Sequence, residues 1–481
     1  MTMAPPAMQS PGALNGGGAT PHVLFIPSAG IGHLTPVFRV IAGFSSQGID
    51  VSVVTVLPTV SAAEAAYFDG LFTDYPRVRR VDMHLLPLDA AEFAATEDPF
   101  FLRWEALRRS VHQLGPIVAG AAPPVTAIIT DITLTSCVVP IARELRVPCH
   151  VLFPTAATML ALNAHYPIYL DQLGAGPVGD VDVPGVFRVP RSSLPPALLD
   201  VNKLFTKQFV DNGREIARAD GVLVNTFDYV EPAPLAALRG GKIVPGYPPV
   251  YTIGPLKPHA AATRAGDKAG TGDGVLDEWL GRQPARSVVY VAFGNRSAAR
   301  LDQIREIGAG LEASGYPFLW VLKTTKVDRE DAAEPADVLG GAFLERVRGR
   351  GLVTKGWVEQ EALLKHPAVG MFLSHGGWNS ALEASSAGVP VLVWPQLGDH
   401  RVNAMAAARA GIGAWAEDWG WDGEERLVTG EEIAEKVKEV MADEKLRASV
   451  AVAREEAARA VAEGGTSYRN MHEFIAKLKG A

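Results

Sequence analysis

The chain has 481 residues, 48% of them hydrophobic and 20% charged, with a formal net charge of −8. That length exceeds one ordinary core and suits two or three domains, and the balance of residue types excludes wholesale disorder. The acidic excess gives no electrostatic reason to bind nucleic acid or an anionic membrane, so neither is expected as a partner.

The first twenty residues lack the basic start and apolar run of a secretory signal. No stretch reaches the ~20 apolar residues that cross a bilayer. Two cysteines, Cys137 and Cys149, cannot build a disulfide framework and suggest a reducing compartment. Residues 1–20 are therefore read as the disordered N-terminus of a cytoplasmic protein, and nothing demands more than a monomer. His22–Pro27 (HVLFIP) then reads as a buried strand, Pro36–Phe44 as a helix and Val51–Val56 as a second strand. Val125–Thr130 and His150–Phe153 follow as strands, with a helix around Val138–Leu145 between them, and Gly221–Val224 and Val250–Ile253 continue the pattern. Alternation of this kind predicts an α/β fold with a parallel sheet covered on both faces.

Pro255–Gly274 has no hydrophobic periodicity and much Gly, Ala and Pro, as a linker does. The pattern restarts with strands at Ser287–Phe293, Phe318–Leu322, Gly370–Ser374 and Val389–Trp394, and a helix at Leu301–Ala313. The expected organisation is an N-terminal domain over 21–254, a linker over 255–274, a C-terminal domain over 275–463, and a final helix over 464–481 that crosses back to the first domain. Two doubly wound, Rossmann-like domains leave a cleft, and ligands bind such sheets beyond the carboxyl ends of their strands.

Within the second domain, Trp357–His400 reads WVEQEALLKHPAVGMFLSHGGWNSALEASSAGVPVLVWPQLGDH. A strand ending at Ser374 runs through His375, Gly376 and Gly377 into a helix beginning near Asn379. Glycines permit close backbone approach, and a helix N-terminus presents unpaired N–H groups and positive partial charge to a diphosphate. His375, Asn379 and Ser380 add donors. Glu383 lies one turn beyond Asn379 on the same face and can accept from both hydroxyls of a ribose. Trp357 offers a flat surface for a pyrimidine, and Asp399-His400 stand at a strand end where sugar hydroxyls can be held.

This segment resembles the signature box of plant family 1 UDP-dependent glycosyltransferases. The two agree in length and at Trp357, Gln360, His375, Gly377, Trp378, Asn379, Ser380, Glu383, Gly388, Pro390, Pro395 and Asp399. Further likenesses are YVAFGN at Tyr290–Asn295 and VNTF at Val224–Phe227. The resemblance implies two Rossmann-like domains of the GT-B type, an acceptor on the first and a UDP-sugar on the second. It implies uracil on Trp357 with Val358 beside it, phosphate at His375, Asn379 and Ser380 on the Gly377-Trp378 turn, ribose at Gln360 and Glu383, and sugar hydroxyls at Asp399 and His400. Histidine at 400 departs from the glutamine common in glucosyl-transferring relatives and occurs in some galactosyl-transferring ones, so glucose is the leading donor with galactose as the alternative. Thr155 resembles a threonine that contacts the donor sugar, and is equally readable as a strand-end turn. Arg296, after Gly294, either approaches the diphosphate or is an exposed arginine.

In the first domain, Pro27–His33 (PSAGIGH) follows the first strand directly and puts His33 near a helix N-terminus, facing the cleft. A histidine with an unperturbed pKa of ~6.5 is a natural general base, and the resemblance implies that His33 deprotonates the acceptor hydroxyl. A dehydrogenase reading fails because the third glycine of the dinucleotide fingerprint is replaced by Thr35. Asp180-Val181-Asp182 has the spacing of a metal site, but it lies between no clear strands and reads as a solvated loop; no metal or other cofactor is expected. A non-catalytic nucleotide-sugar binder is the competing class, and it predicts affinity without turnover.

A catalytic histidine is usually oriented by a carboxylate. In O-glycosylating relatives that aspartate lies ten residues before the alanine of a Val-Ala-Arg-Glu-like segment, here Ile141–Glu144, and the count falls on Ile132, with Asp131 before it. On a strand, a one-residue shift turns a side chain to the other face. Asp131 is thus expected either to reach His33 from another angle or to contact the acceptor. Asp-Ile in this order resembles plant flavonoid C-glycosyltransferases, as do Val358-Glu359 and FGNR at Phe293–Arg296. The resemblance implies transfer to a carbon of a 2-hydroxyflavanone or a phloretin-like dihydrochalcone, with O-glucosylation of phenols as the alternative and Ile132 as a selectivity residue. Phe100, Phe101, Arg103 and Trp104 fall where such acceptor pockets are built, or simply cover the sheet.

Overall fold

The structure, a computed structural model, describes residues 20–93, 99–257, 273–294, 296, 298–325, 333–356, 358–420 and 426–480. Apart from Thr20, the expected disordered N-terminus lies outside the described residues, as do Trp357 and all of the expected linker except 255–257, 273 and 274. Fifteen strands are described: β1 (His22–Ile26), β2 (Asp50–Leu57), β3 (Arg79–His84), β4 (Ala127–Asp131), β5 (Cys149–Phe153), β6 (Val181–Asp182), β7 (Arg188–Val189), β8 (Gly221–Val224), β9 (Val250–Thr252), β10 (Val288–Ala292), β11 (Phe318–Val321), β12 (Gly351–Thr354), β13 (Val369–Ser374), β14 (Val391–Val393) and β15 (Gly413–Trp415). They form a seven-stranded sheet in the order β3-β2-β1-β4-β5-β8-β9, a six-stranded sheet in the order β12-β11-β10-β13-β14-β15, and the two-stranded β6-β7 ribbon. Both large sheets are parallel throughout.

Continuous apolar runs form the central strands because both faces are covered. On the first sheet, Val23 and Phe25 pack with Phe38, Ile41 and Phe44 of the helix Ile31–Ser46, while Leu24 and Ile26 face a second layer with Val138, Val151 and Tyr166. On the second sheet, Val289 and Val291 join Ile304, Leu311 and Trp320, and Tyr290 joins Phe372 and Val391 on the other face. The second layer of the first sheet continues into the other half of the chain, taking in Trp378, Leu382, Val402 and Val450. The helix Thr466–Leu478 returns to the first sheet: Ser467 Oγ donates to Gly254 O (2.6 Å), Asn470 Nδ2 donates to Thr252 O (3.0 Å), and Phe474 is buried against Tyr251.

One expectation needs correcting. Asp180–Asp182 is not a loop outside all strands, because Val181–Asp182 pair antiparallel with Arg188–Val189. Asp180 accepts from Arg188 Nε (3.0 Å) and from the Arg191 backbone N–H (2.8 Å).

Candidate active site

The strand order reverses direction twice, between β1 and β4 in one sheet and between β10 and β13 in the other. These are the switch points where loops diverge and open a crevice. At the first, Gly30 adopts φ 98°, a value that costs glycine little, and starts the helix Ile31–Ser46. Its N–H donates to Glu64 Oε2 (3.0 Å). His33 stands in the first turn of that helix, above the neighbouring end of β4.

Asp131 is the last residue of β4 and caps the 3-10 turn Ile132–Leu134. Its Oδ1 accepts from Thr133 N (2.9 Å) and Thr133 Oγ1 (2.7 Å), and its Oδ2 accepts from His33 Nδ1 (2.8 Å). Of the two alternatives for Asp131, the structure takes the first. The side chain leaves a strand end, where the chain turns and strict alternation no longer governs direction. The carboxylate is fully buried while the His33 side chain is 25% exposed. With Nδ1–H given to Asp131, the neutral ring keeps the lone pair on Nε2. Burial pulls the His33 pKa down, but the charge and hydrogen bond of Asp131 outweigh it and the net shift is upward. Asp399 adds to the rise and Arg296 opposes it, so both groups of the second half are close enough to be felt at His33.

Trp104 packs edge-on against the His33 ring (5.7 Å between centroids) and is itself buried, with Phe101 beside it at 5.6 Å. The side chain of Phe100 lies outside the described residues. Ile132 is 9% exposed and belongs to the apolar layer that holds Leu134 and Val138.

At the second switch point, β13 ends at Ser374 and the helix Trp378–Ala387 begins after Gly377, with no side chain capping its first turn. Gly294, after β10, lets the chain pass His375: a Cβ there would sit 2.9 Å from the imidazole. His375 and His400 meet edge to face at 4.9 Å, and both are held at about pKa 3. For His375, burial and then the neighbouring His400 cause this; for His400, burial and then Arg296. His400 Nδ1 accepts from the Leu397 N–H (3.2 Å), which leaves Nε2–H as its donor. Asp399 Oδ2 accepts from Thr155 Oγ1 (2.6 Å) and Asn403 Nδ2 (3.1 Å). Thr155, in the turn between β5 and the helix Ala157–Leu173, thus joins the two halves. Arg296 lies over the Phe101 ring at 6.0 Å.

Gln360 Nε2 donates to Ser380 Oγ (3.0 Å) and Glu383 Oε2 (2.7 Å), so the two residues expected at the ribose already touch. Asn379 Nδ2 donates to Gly32 O (3.1 Å), and its Oδ1 accepts from Asn225 Nδ2 (2.7 Å). Two of the residues expected at the donor site have buried side chains. Val358 is buried among Leu363, Leu364 and Val369. Trp378 is 2% exposed and its indole N–H donates to Asn225 O (3.0 Å), joining the halves of the molecule. In both cases an apolar side chain gains more from burial than from the wall of a wet cleft. The sequence reading also missed Arg39, Glu64, Asn225 and Glu361. Arg39 was detectable as a lone cation among the apolar residues of VFRVIAGF.

Among the described residues, no group of three His, Cys, Asp or Glu is placed to hold a metal ion, and no helix is long and apolar enough to cross a membrane.

Residues 272–452 match the family described as UDP-glucoronosyl and UDP-glucosyl transferase. Over 473 residues the chain is 54% identical to UDP-glycosyltransferase CGT of Oryza sativa subsp. indica, covering 98% of each. Its fold matches the crystal structure of LpCGTa in complex with UDP (TM-score 0.83, 43% identity, 96% of this chain and 99% of that one). It also matches Phytolacca americana UGT2 complexed with UDP-2fluoro-glucose and pterostilbene (TM-score 0.78, 27% identity, 95% and 100%). Two facing Rossmann-type sheets, a histidine–carboxylate pair at one switch point, a glycine-lined helix N-terminus at the other, and likeness over nearly the whole length agree: the chain belongs to the plant family 1 UDP-glycosyltransferases, enzymes of GT-B fold.

Proposed function

We propose that the enzyme transfers glucose from UDP-glucose to a ring carbon of a polyphenol, a 2-hydroxyflavanone or a phloretin-like dihydrochalcone, with inversion at the anomeric centre. The observation that carries the proposal is the 2.8 Å bond from His33 Nδ1 to the buried Asp131. It fixes the tautomer whose Nε2 accepts a proton and stabilises the imidazolium that forms.

In this reading His33 takes the proton of a phenol flanked by other hydroxyls. The resulting anion carries charge on its ortho carbon, which attacks the anomeric carbon opposite the leaving UDP. The bond to the diphosphate breaks, UDP departs with the electron pair, and the ring carbon loses its hydrogen as a proton, which restores the aromatic ring. An α-linked donor gives a β product. The nucleotide lies on the 275–463 half, with uracil on Trp357, ribose at Gln360 and Glu383, diphosphate at the open N-terminus of Trp378–Ala387 with His375, Asn379, Ser380 and Arg296, and the sugar at Thr155, Asp399 and His400. The helix terminus and these donors neutralise the leaving group, so no metal is required. The acceptor lies on the 21–254 half beside Trp104, and the enzyme works as a cytoplasmic monomer.

Transfer to carbon is supported by the Asp131-Ile132 order, by Val358-Glu359 and FGNR, and by the likeness to the rice protein named CGT and to LpCGTa. O-glucosylation of a phenol is the second reading, supported by the likeness to the Phytolacca enzyme bound to pterostilbene; it needs the same base and differs only in which acceptor atom faces the donor. The test is UDP release from UDP-glucose with phloretin. Wild-type protein releases UDP and His33→Ala does not; a His33→Ala variant of wild-type rate would remove the base from the account, and a wild-type protein that binds UDP without turnover would favour the binder reading.

A further inference from the structure

Both oxygens of Glu383 are already engaged by protein. Gln360 holds Oε2, and Oε1 accepts from Arg39 Nη2 at 2.9 Å. Arg39 lies on the helix Ile31–Ser46 that carries His33. The same Nη2 donates to Glu361 Oε1 (2.5 Å), and Nη1 donates to Leu256 O (3.3 Å), where the chain leaves the first sheet. The arginine side chain is 8% exposed and each carboxylate 12%, so one guanidinium faces two negative charges away from water.

One turn before Glu383, Asn379 bonds to the carbonyl of Gly32, the residue preceding His33. The helix expected to bind the nucleotide and the helix bearing the base are therefore pinned together at two points, and both pins are residues with donor roles. The charge balance at the second pin depends on Arg39. Burial, with the charge of Glu383 behind it, pushes the Glu361 carboxyl up to about 7 even though Arg39 opposes the rise. A second cation, Lys365, lies 3.8 Å from Glu361 and is 62% exposed; Glu359 adds negative charge, and Tyr67 and Tyr290 border the cluster. Without Arg39, two buried carboxylates would face each other, and such pairs relieve the repulsion by taking up a proton or moving apart.

We propose that Arg39 is a positioning residue of the donor site: it holds Glu383 as a charged acceptor for the ribose hydroxyls and ties that carboxylate to the helix carrying His33. The proposal rests on the glycosyltransferase reading above. It makes the nucleotide end of the donor site and the helix bearing the base parts of one contact.

The test uses the full chain. UDP affinity of the wild-type protein is measured first by calorimetry; absence of binding would overturn the glycosyltransferase reading and the donor-site role of Arg39 with it, whereas binding that Arg39 variants leave unchanged would overturn the assignment of Arg39 alone. In R39Q, KM for UDP-glucose and Kd for UDP should rise about tenfold while KM for phloretin stays within twofold, and R39K should recover part of the loss because an ammonium reaches only one carboxylate. If Arg39 acts through Glu383, adding R39Q to E383Q should change donor KM less than twofold, since the two share one function. Donor constants in R39Q within twofold of wild type would overturn the proposal. So would fully multiplicative losses in the double variant, or donor and acceptor KM rising together with a lowered melting temperature. Should R39Q fail to fold, R39K carries the same comparison, with about a threefold rise in donor KM expected.

Discussion

Replacing Asp131 by Asn keeps the shape of the site and reverses the proton on its base. The asparagine carbonyl can still accept from Thr133 N and Oγ1, as Asp131 Oδ1 does at 2.9 and 2.7 Å, so the turn after β4 survives. The amide nitrogen then faces His33 Nδ1 at the position now 2.8 Å away. It can only donate, so Nδ1 must accept and Nε2 must carry the hydrogen, the atom that the mechanism needs bare. A charge-assisted bond is worth roughly 1.5–3 kcal/mol, and the wrong tautomer adds to that. We expect kcat to fall about a thousandfold, or ~4 kcal/mol in the barrier. The pH profile gives an independent sign. Asp131 raises the His33 pKa against burial, so the wild-type rate climbs with pH through a raised midpoint, and in Asp131→Asn the climbing limb moves to lower pH while its plateau drops. The same shift links to stability: the pair's contribution is complete below the unfolded histidine pKa of ~6.5 and is lost as pH rises through the folded value, so the melting difference between the two proteins narrows upward in pH. UDP release with phloretin between pH 5 and 9 reads the rate. Retention of more than a tenth of kcat, or a limb that stays put or moves upward, would refute the tautomer argument.

Because burial holds His375 and His400 at about 3, neither ring should titrate between pH 5.5 and 8.5 when its proton resonances are followed by NMR; a midpoint near 6.5 at either ring would show that it takes up a proton in that range. Trp378→Ala should cost about 3–5 kcal/mol in urea unfolding, and Trp378→Phe about 1–3 kcal/mol, chiefly from the unpaired Asn225 carbonyl; an unchanged midpoint in both would contradict its role in joining the halves. Asp180→Asn, and wild-type protein in excess EDTA, should each keep a rate within twofold of the untreated enzyme, whereas a loss restored by a divalent cation would overturn the metal-free reading.

The central strands were legible because a parallel sheet covered on both faces needs unbroken apolar runs. Besides the short β6-β7 ribbon, the strands that escaped are edges of the large sheets: β3, whose RRVDMH buries only Met83 fully, β12 and β15. An edge strand is held by one neighbour's hydrogen bonds and carries little apolar signal. At the site, His33 and the run from His375 to Glu383 were readable because a helix N-terminus after glycines has one obvious chemistry. Trp378 and Val358 show where that reading stops. A spacing places a residue near a ligand but does not say how far its side chain is buried: Val358 packs into the core of the second domain, and Trp378 packs between the halves. Arg39 stands out as a lone cation in an apolar run, but its role was out of reach: the two carboxylates it bonds lie more than 300 residues away in the chain, and only the docking of the two sheets reveals them.

Product analysis with phloretin and UDP-glucose tests the central claim most directly. The account predicts a single-hexose product that survives hot acid and fragments by cleavage across the sugar ring, the signature of a carbon–carbon bond, and that vanishes in His33→Ala. A product that acid returns to phloretin, losing the whole hexose on fragmentation, would contradict transfer to carbon.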